Sequence, residues 1–222
     1  MAVLVAGGTG FLGSAVVHEL AGSGYEVAAT WVVEAERERL AAEPVELIEA
    51  DLFDPAAAQA AVDAVDDLEA VANLVGGFAD GPRVHETDPE EFSRLMRLNL
   101  TPAFLLARAA MPRLMERGGG AFVCVSARTA LRPYSGGAAY SVAKASVLAL
   151  IKALDVEYRG EGVRCNAILP SVIDTPANRE AQPGADHSKW VRPEEIAKVV
   201  RFLVSDESAP TSGAAVPVYG RA

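Results

Sequence analysis

The 222-residue sequence has few of the residues that hold small secreted or metal-binding domains together. It contains two cysteines, Cys124 and Cys165, and three histidines, with no CxxC pair and no Cys/His cluster at metal-ligand spacing. Two isolated cysteines are typical of a chain kept in a reducing, intracellular setting. We therefore expect neither a structural zinc site nor any other bound metal.

Basic residues and long apolar runs are also scarce. Lys and Arg number 20 against 30 Asp and Glu, which gives a net charge of -10 and repels a phosphate backbone. No uninterrupted apolar run reaches membrane-spanning length, and no basic segment precedes the first apolar stretch. We expect a cytoplasmic protein that binds neither nucleic acid nor membrane and holds any anionic ligand with local groups.

Half of the residues are hydrophobic, so the chain can bury a sizeable core within a single domain. Apolar runs with strand character alternate with segments of helical periodicity along its length. This alternation predicts an α/β fold, a doubly wound Rossmann fold in which a parallel sheet of about seven strands is flanked by helices. The predicted strands are residues 2–6, 25–32, 45–50, 68–74, 121–125, 163–169 and 214–219.

The segment Gly7-Gly-Thr-Gly-Phe-Leu-Gly13 lies between the first predicted strand and a helical segment at 14–21. Glycines at 7, 10 and 13 allow a tight turn, close approach to a pyrophosphate and close packing of helix on strand. The N–H groups at the start of the helix would face the phosphates. This glycine spacing between a strand and a helix predicts that the chain binds a dinucleotide.

The second predicted strand ends in Thr30-Trp31-Val32-Val33-Glu34, where an acid would select NAD. No Asp stands there, although Glu34 could turn toward a ribose, so the prediction leaves NADPH or NADH open and is tilted to NADP. Trp31 could stack on the adenine or cover the sheet edge. Arg37 and Arg39 could reach a phosphate or face water on a helix.

Two further strand ends carry candidate cofactor contacts. Asp51-Leu52 follows the third predicted strand, where Asp51 could accept from the adenine amine or cap the next helix. Asn73-Leu-Val-Gly-Gly77 follows the fourth, and its glycines let the backbone approach the ribose side of a cofactor. The polar loop at 78–88, which contains His85, and an irregular stretch at 174–192 are predicted to form the mouth and a flap.

Tyr140 and Lys144 stand four residues apart in a predicted helix at 139–158, so their side chains can meet on one face. A neighbouring ammonium favours the phenolate, which predicts a lowered pKa for Tyr140 and a proton donor. Asn99 lies inside another predicted helix, at 89–115. Since Asn is a poor interior helix residue, it indicates either a helix irregularity with a bound water or a tolerated polar position.

Taken in order, these motifs resemble the short-chain dehydrogenase/reductase family over essentially the whole chain, 1–222, as one NAD(P)-binding domain. The resemblance implies that Tyr140 exchanges the substrate proton, that Lys144 lowers its pKa and holds the nicotinamide ribose, and that Asn99 orders a water. It also implies a small-molecule substrate and a homodimer or homotetramer. The implied cofactor contacts are Gly7, Thr9, Gly10, Phe11, Leu12, Gly13, Trp31, Asp51, Leu52, Asn73, Gly76, Tyr140, Lys144, Pro170, Ile173 and Thr175.

One position departs from the family pattern. The serine that usually precedes the tyrosine by thirteen residues is Ala127 here, and Ser126 could replace it only if the loop is shifted by one residue. Dihydropteridine reductases, which the stretch 169–190 resembles, also carry Ala there, although Asn99 and Trp31 depart from them.

Three hypotheses follow. The favoured one is an NAD(P)H-dependent reductase of a conjugated, ring-type acceptor with Tyr140 as proton donor. The alternatives are a carbonyl or 3-oxoacyl reductase that uses Ser126 or a water, and a nucleotide-binding sensor or scaffold without turnover.

Overall fold

A computed structural model describes residues 1–221 of the chain, and its centre is a sheet of seven parallel strands. The strands are β1 (Ala2–Ala6), β2 (Glu26–Trp31), β3 (Glu46–Glu49), β4 (Leu68–Asn73), β5 (Gly120–Val125), β6 (Val163–Pro170) and β7 (Ala215–Val218). Their order across the sheet is β3-β2-β1-β4-β5-β6-β7. The predicted doubly wound parallel sheet is confirmed.

Six α-helices connect the strands in the described part of the chain. They are α1 (Phe11–Gly22), α2 (Pro55–Asp63), α3 (Pro89–Glu116), α4 (Ala138–Tyr158), α5 (Pro176–Ala181) and α6 (Pro193–Val204). Short 3-10 segments lie at Glu34–Leu40, Val84–Glu86, Arg128–Ala130, Arg159–Glu161, His187–Lys189 and Asp206–Ser208. No helix within residues 1–221 is both long enough and apolar enough to cross a bilayer.

The core consists of two apolar layers, one on each face of the sheet. Leu4 and Ala6 of β1 belong to the layer that α2, α3 and α4 cover, whereas Val3 and Val5 belong to the layer under α1 and α6. Successive strand residues point to opposite faces, and all four of these side chains are fully buried. Because helices cover both faces of the sheet at this central strand, β1 is apolar at every position.

The strand order creates the crevice in which ligands bind in this class of fold. The chain runs from β1 outward to β2 and β3, then returns past β1 to place β4 on the other side. Connections that leave β1 and β4 therefore diverge to opposite faces of the sheet, and their carboxyl ends flank a gap.

The predicted elements are present, with ends that differ from the observed ones by a few residues. The exception is the stretch 174–192, which was predicted to be irregular but contains α5 and a 3-10 turn. Thr175 caps α5 by accepting a hydrogen bond from the Asn178 N–H at 3.3 Å, and Pro176 occupies the first helical position. A capping Thr followed by Pro is a helix start signal, so the prediction of an irregular stretch was wrong, whereas its role as a flap over the cavity stays a prediction.

Candidate active site

A cavity of about 700 Å³ opens at the carboxyl edge of the sheet. Its walls come from the connections that follow β1, β4, β5 and β6, together with two side chains of α4. The predicted cofactor contacts that line it are Gly7, Gly10, Phe11, Leu12, Gly13, Gly76, Tyr140, Lys144, Pro170 and Ile173.

The glycine turn after β1 has the geometry that its sequence predicts. Gly7 adopts φ +74°, which L side chains rarely adopt, and a Cβ on Gly13 would lie 2.0 Å from the Gly7 carbonyl oxygen. A Cβ on Gly10, in contrast, would meet only that oxygen, at 3.5 Å. The turn therefore leaves no room for a side chain at Gly13, whereas the space beside Gly10 is free. No side chain caps the first N–H groups of α1 at Gly10.

Arginines cover the aromatic side chains near the end of β2. The Arg37 guanidinium lies 4.7 Å from the centre of the Trp31 ring, and that of Arg39 lies 4.1 Å from the centre of the Phe11 ring. Arg39 also donates to the Thr9 carbonyl at 2.7 Å and pairs with Glu36. Neither arginine simply faces water, and Trp31 lies outside the cavity lining.

Four other predicted contacts lie away from the cavity wall. The Thr9 hydroxyl is directed to Glu36, at 3.5 Å, and Leu52 is buried in the core. Asp51 is exposed and accepts a hydrogen bond from the Phe53 N–H. The Asn73 carboxamide is buried, where it accepts from the Val75 N–H at 3.2 Å and contacts Cys124. Asn73 therefore shapes the turn after β4.

Tyr140 and Lys144 meet on one face of α4, as the spacing predicts. The Lys144 ammonium lies 5.9 Å from the centre of the Tyr140 ring and 3.3 Å from the Val125 carbonyl oxygen. Phe78 packs edge-on against Tyr140 with 5.1 Å between ring centres. Both α4 side chains line the cavity, beside the end of β5.

The expected lowering of the Tyr140 pKa is contradicted. Burial raises the pKa of the Tyr140 phenol to about 12, and burial lowers the pKa of the Lys144 ammonium to about 8. The cost of desolvating the phenolate dominates at Tyr140, and this cost cannot be read from residue spacing. At neutral pH the phenol keeps its proton and the amine keeps its charge.

Asn99 is fully buried within α3, three residues before Pro102, a proline inside the helix that cannot donate an N–H. Its carboxamide accepts from the Gly77 N–H at 3.1 Å and donates to the Gly77 and Leu95 carbonyls. A Cβ on Gly76 would lie 2.7 Å from the Asn99 oxygen and 2.8 Å from the Lys144 Nζ. Asn99 therefore fixes the loop after β4 against the lysine.

The part of the cavity wall that follows β5 contains Ala127, the position that departs from the family pattern. Ser126 donates its hydroxyl to the Lys144 carbonyl at 2.8 Å, while its N–H stays in register with Ile168. The one-residue shift is therefore absent, and Ala127 lines the cavity with a methyl group. Thr129 lines the same wall, and its buried hydroxyl oxygen has no hydrogen-bond partner among the described residues.

The opposite wall comes from the segment after β6. Ser171 donates its hydroxyl to the Tyr219 carbonyl at 2.8 Å, which ties this wall to the end of β7. Asn178 of α5 lines the cavity and donates to the Ile173 carbonyl. Thr175 caps α5 and lies outside the lining.

Several lining residues were assigned no role from the sequence. They are Asp80, Arg128, Thr129, Arg132, Tyr134, Asn178 and Gln182. Arg128 to Tyr134 follow directly on a strand whose neighbours already carried predicted contacts, so strand-end position was the signal that could have found them.

The described residues fit a dinucleotide. The opening in front of Gly10 and the uncapped start of α1 suit a diphosphate, and Tyr140 and Lys144 stand on the far side of the crevice. No group of three or more His, Cys, Asp or Glu within residues 1–221 is arranged to hold a metal ion. Fold and cavity together define an α/β protein of the dinucleotide-dependent oxidoreductase class.

Comparison with known proteins gives the family. A family model described as enoyl-(acyl carrier protein) reductase matches residues 10–220. The 4-formylbenzenesulfonate dehydrogenase of Comamonas testosteroni is 32% identical over 74% of this chain and 71% of its own length. Acetoacetyl-CoA reductase of Rhizobium meliloti is 30% identical over 98% of this chain and 96% of its own.

A solved structure agrees with these relatives. The 3-ketoacyl-(acyl-carrier-protein) reductase of Brucella melitensis, solved with NADH, superposes with a TM-score of 0.88 at 25% identity, covering 99% of this chain and 97% of that one. The chain belongs to the short-chain dehydrogenase/reductase family and is an NAD(P)-dependent oxidoreductase. This membership favours the enzymatic predictions over a sensor or scaffold without turnover.

Proposed function

We propose that the protein is an NAD(P)H-dependent reductase in which Tyr140 donates a proton to a conjugated, ring-type acceptor. The observation that carries this proposal is the pair formed by Tyr140 and the buried Lys144 in the cavity wall. The pKa of Tyr140, raised to about 12 by burial, keeps the phenol protonated until a reaction draws the proton away. A bound reduced nicotinamide supplies the hydride.

Lys144 and Asn99 support the proton transfer in different ways. The positive charge of Lys144 beside the phenol favours loss of its proton, and we expect the same ammonium to bind a ribose hydroxyl of the cofactor. Asn99 acts as a positioning residue through its hydrogen bonds to Gly77, which hold the loop against Lys144. Its role in ordering a water stays a prediction.

The choice of a ring-type acceptor rests on what the wall after β5 offers. Ala127 presents a methyl group, and the Ser126 hydroxyl is bound to a backbone carbonyl, so no serine is positioned to hold a ketone oxygen. A conjugated ring spreads the developing charge and depends less on such a donor. Phe78, beside Tyr140, provides an apolar surface on which a ring can stack.

A carbonyl or 3-oxoacyl reductase is the second candidate. Thr129 lies on the same wall as Ala127, and its buried, unpartnered hydroxyl would reach a ketone oxygen after a rotation of the side chain. Acetoacetyl-CoA reductase is among the relatives. In this reading Thr129, rather than Ser126, takes the place of the family serine.

The nucleotide preference is proposed to be NADP. Arg37 and Arg39 lie beside the end of β2, where the NAD-selecting Asp is missing, and each is paired with a glutamate, Arg37 with Glu34 and Arg39 with Glu36. Arg39 would have to exchange part of its contact with Glu36 for the extra phosphate on the adenosine ribose.

We also propose that residues 1–222 act as one NAD(P)-binding domain that assembles into a homodimer or homotetramer. Large apolar side chains are exposed on α3 and α4, including Phe104 at 52% and Val156 at 77%. Such side chains on two adjacent helices support a contact between subunits.

Steady-state kinetics of Tyr140→Phe test the proposed proton donor. We expect kcat to fall about 10²-fold or more, because the general acid is removed, while NADPH affinity is retained. Tyr158→Phe, at the other end of α4 and outside the cavity lining, is the matched control. Unchanged turnover by Tyr140→Phe would remove Tyr140 from the mechanism.

The two acceptor classes are separated by one panel assayed with NADH and NADPH. Quinonoid pterins and ortho-quinones represent the ring acceptors, and simple ketones with an acetoacetyl thioester represent the carbonyl substrates. Turnover confined to the carbonyl substrates, and lost in Thr129→Val, would establish the second candidate in place of the first.

A further inference from the structure

Two arginines lie on one side of the segment that follows β5. The Arg132 N–H donates to the Arg128 carbonyl at 3.0 Å, which closes a single helical turn and brings these side chains, four residues apart, to the same side. Both residues line the cavity, on the wall that begins at Ala127. The substrate wall therefore carries two guanidinium groups.

Neither guanidinium is neutralised within the described residues. Arg128 and Arg132 take part in none of the ion pairs of residues 1–221, although Asp and Glu outnumber Lys and Arg in the chain. Two like charges four residues apart repel one another. An anion bound between them would relieve that repulsion.

Arg128 is held in place by an aromatic ring. Its guanidinium lies 5.1 Å from the centre of the Tyr219 ring, and its side chain is half-buried. A stacked guanidinium keeps its planar fork of N–H donors in a fixed orientation, which matches the paired oxygens of a carboxylate, sulfonate or phosphate.

Basic groups outnumber acidic groups in the described lining of the cavity. Asp80 is the one acidic residue in the described lining, and its carboxylate accepts a hydrogen bond from the Tyr134 hydroxyl. Lys144, Arg128 and Arg132 are basic. A chain of net charge -10 thus concentrates positive charge in this cavity.

The arginines are separate from the diphosphate position. The glycine turn follows β1, whereas Arg128 and Arg132 follow β5, and β4 lies between these two strands in the sheet. The second pair of arginines, at positions 37 and 39, lies near the end of β2, on the far side of β1. The positive charge beside Ala127 therefore faces the substrate.

We propose that Arg128 and Arg132 bind an anionic group of the substrate, a carboxylate, sulfonate or phosphate, at a distance from the atom that accepts the hydride. This inference rests on the reductase proposed above and adds the class of substrate. The anionic subsite does not depend on which of the two acceptor classes is reduced.

A binding experiment tests the subsite without requiring turnover. Naphthalene-1-sulfonate and its neutral match naphthalene-1-sulfonamide are titrated by calorimetry into the protein saturated with NADPH. We expect the sulfonate to bind about tenfold more tightly or better, and we expect Arg128→Gln and Arg132→Gln each to lower its affinity by about tenfold. Arg128→Lys, which keeps the charge but loses the fork, should fall between wild type and Arg128→Gln.

Arg108→Gln is the matched control, since Arg108 is exposed on α3, outside the cavity lining and without an ion pair in the described residues. Equal affinity for the two ligands, no binding of the sulfonate, or an equal loss in Arg108→Gln would overturn the subsite. Circular dichroism and melting temperature of each variant verify that it is folded.

A second arm separates this inference from the proposed reductase. Turnover of 1,2-naphthoquinone and of its 4-sulfonate is compared in wild type and in the same variants. We expect the sulfonated quinone to have the lower KM, and we expect this advantage to be lost in the two Gln variants and kept in Arg108→Gln. Retained preference for the sulfonate in binding, without turnover of either quinone, would count against the ring-acceptor reductase and leave the anion subsite standing.

Discussion

The Lys144 ammonium is only 3% exposed, and this burial opposes folding. Its pKa is lowered to about 8 from 10.5, so the unfolded chain binds more protons than the folded protein between those two values. The penalty is fully present below about pH 8 and declines as the pH rises toward 10.5. The free energy of unfolding is therefore lower than it would be without this buried charge in the cavity wall.

Lys144→Met should consequently raise the free energy of unfolding by about 1–3 kcal/mol at pH 7, because the desolvation penalty disappears. Urea unfolding at pH 7 and again between pH 9 and 10 measures the gain, which should shrink at the higher pH. Lys152→Met, exposed on the same helix, should change stability by less than about 0.5 kcal/mol. A gain that grows with pH would contradict the role assigned to burial.

Single residues show where reading the sequence was sufficient and where it was not. Spacing along a helix placed Tyr140 beside Lys144, because that relation depends only on helical periodicity. The direction of the Tyr140 pKa shift was wrong, since it depends on how much water the tertiary fold removes. The partner of Ser126 and the vacant hydroxyl of Thr129 depend on α4 packing against the end of β5, which no local pattern encodes.

At the scale of elements, the turn between β1 and α1 depends on a close approach of backbone to backbone. Gly13 lies so near the Gly7 carbonyl that any side chain there must move the helix or open the turn. The same turn positions the uncapped N–H groups of α1, so a change in its backbone affects phosphate binding directly.

Gly13→Ala should lower NADPH affinity at least about tenfold and destabilise the protein by about 1–3 kcal/mol, because the added methyl group overpacks the turn. Gly22→Ala is the matched control at the other end of α1, where a Cβ meets nothing within 4 Å. It should leave affinity unchanged and keep or slightly raise stability. Fluorescence titration with NADPH and thermal unfolding measure both quantities, and equal behaviour of the two variants would refute this account.

Strands and helices were predicted well where the sequence pattern that indicates them lies within the element itself. Apolar segments indicated all seven strands, most clearly at β1, where helices cover both faces of the sheet and every residue is apolar. The signal for α5 was equally local, in Thr175 and Pro176, but its six residues are too few for an apolar period to emerge. The loop after β4 is different, because its conformation is set by Asn99 from a helix that begins sixteen residues after Asn73.

At the scale of the whole molecule, the proposed subunit contact can be tested on the exposed apolar residues of α3 and α4. Phe104→Glu combined with Val156→Glu should convert the oligomer to monomer, because two charges would have to be buried at the contact. Light scattering coupled to size exclusion measures the mass. Val84→Glu, which places a charge at an exposed apolar residue outside these helices, should leave the mass unchanged. A monomeric wild-type protein would contradict the proposed assembly.

The parallel direction of all seven strands also divides the molecule into two unlike ends. Every strand begins at the end where Met1 lies near Glu69 and where Arg117 pairs with that same carboxylate. Every strand finishes at the end where the catalytic crevice opens and where Tyr219 supports Arg128. Immobilisation on a sensor chip through the first end would leave the crevice exposed to a flowing analyte, whereas tethering beside Tyr219 would press its entrance against the chip.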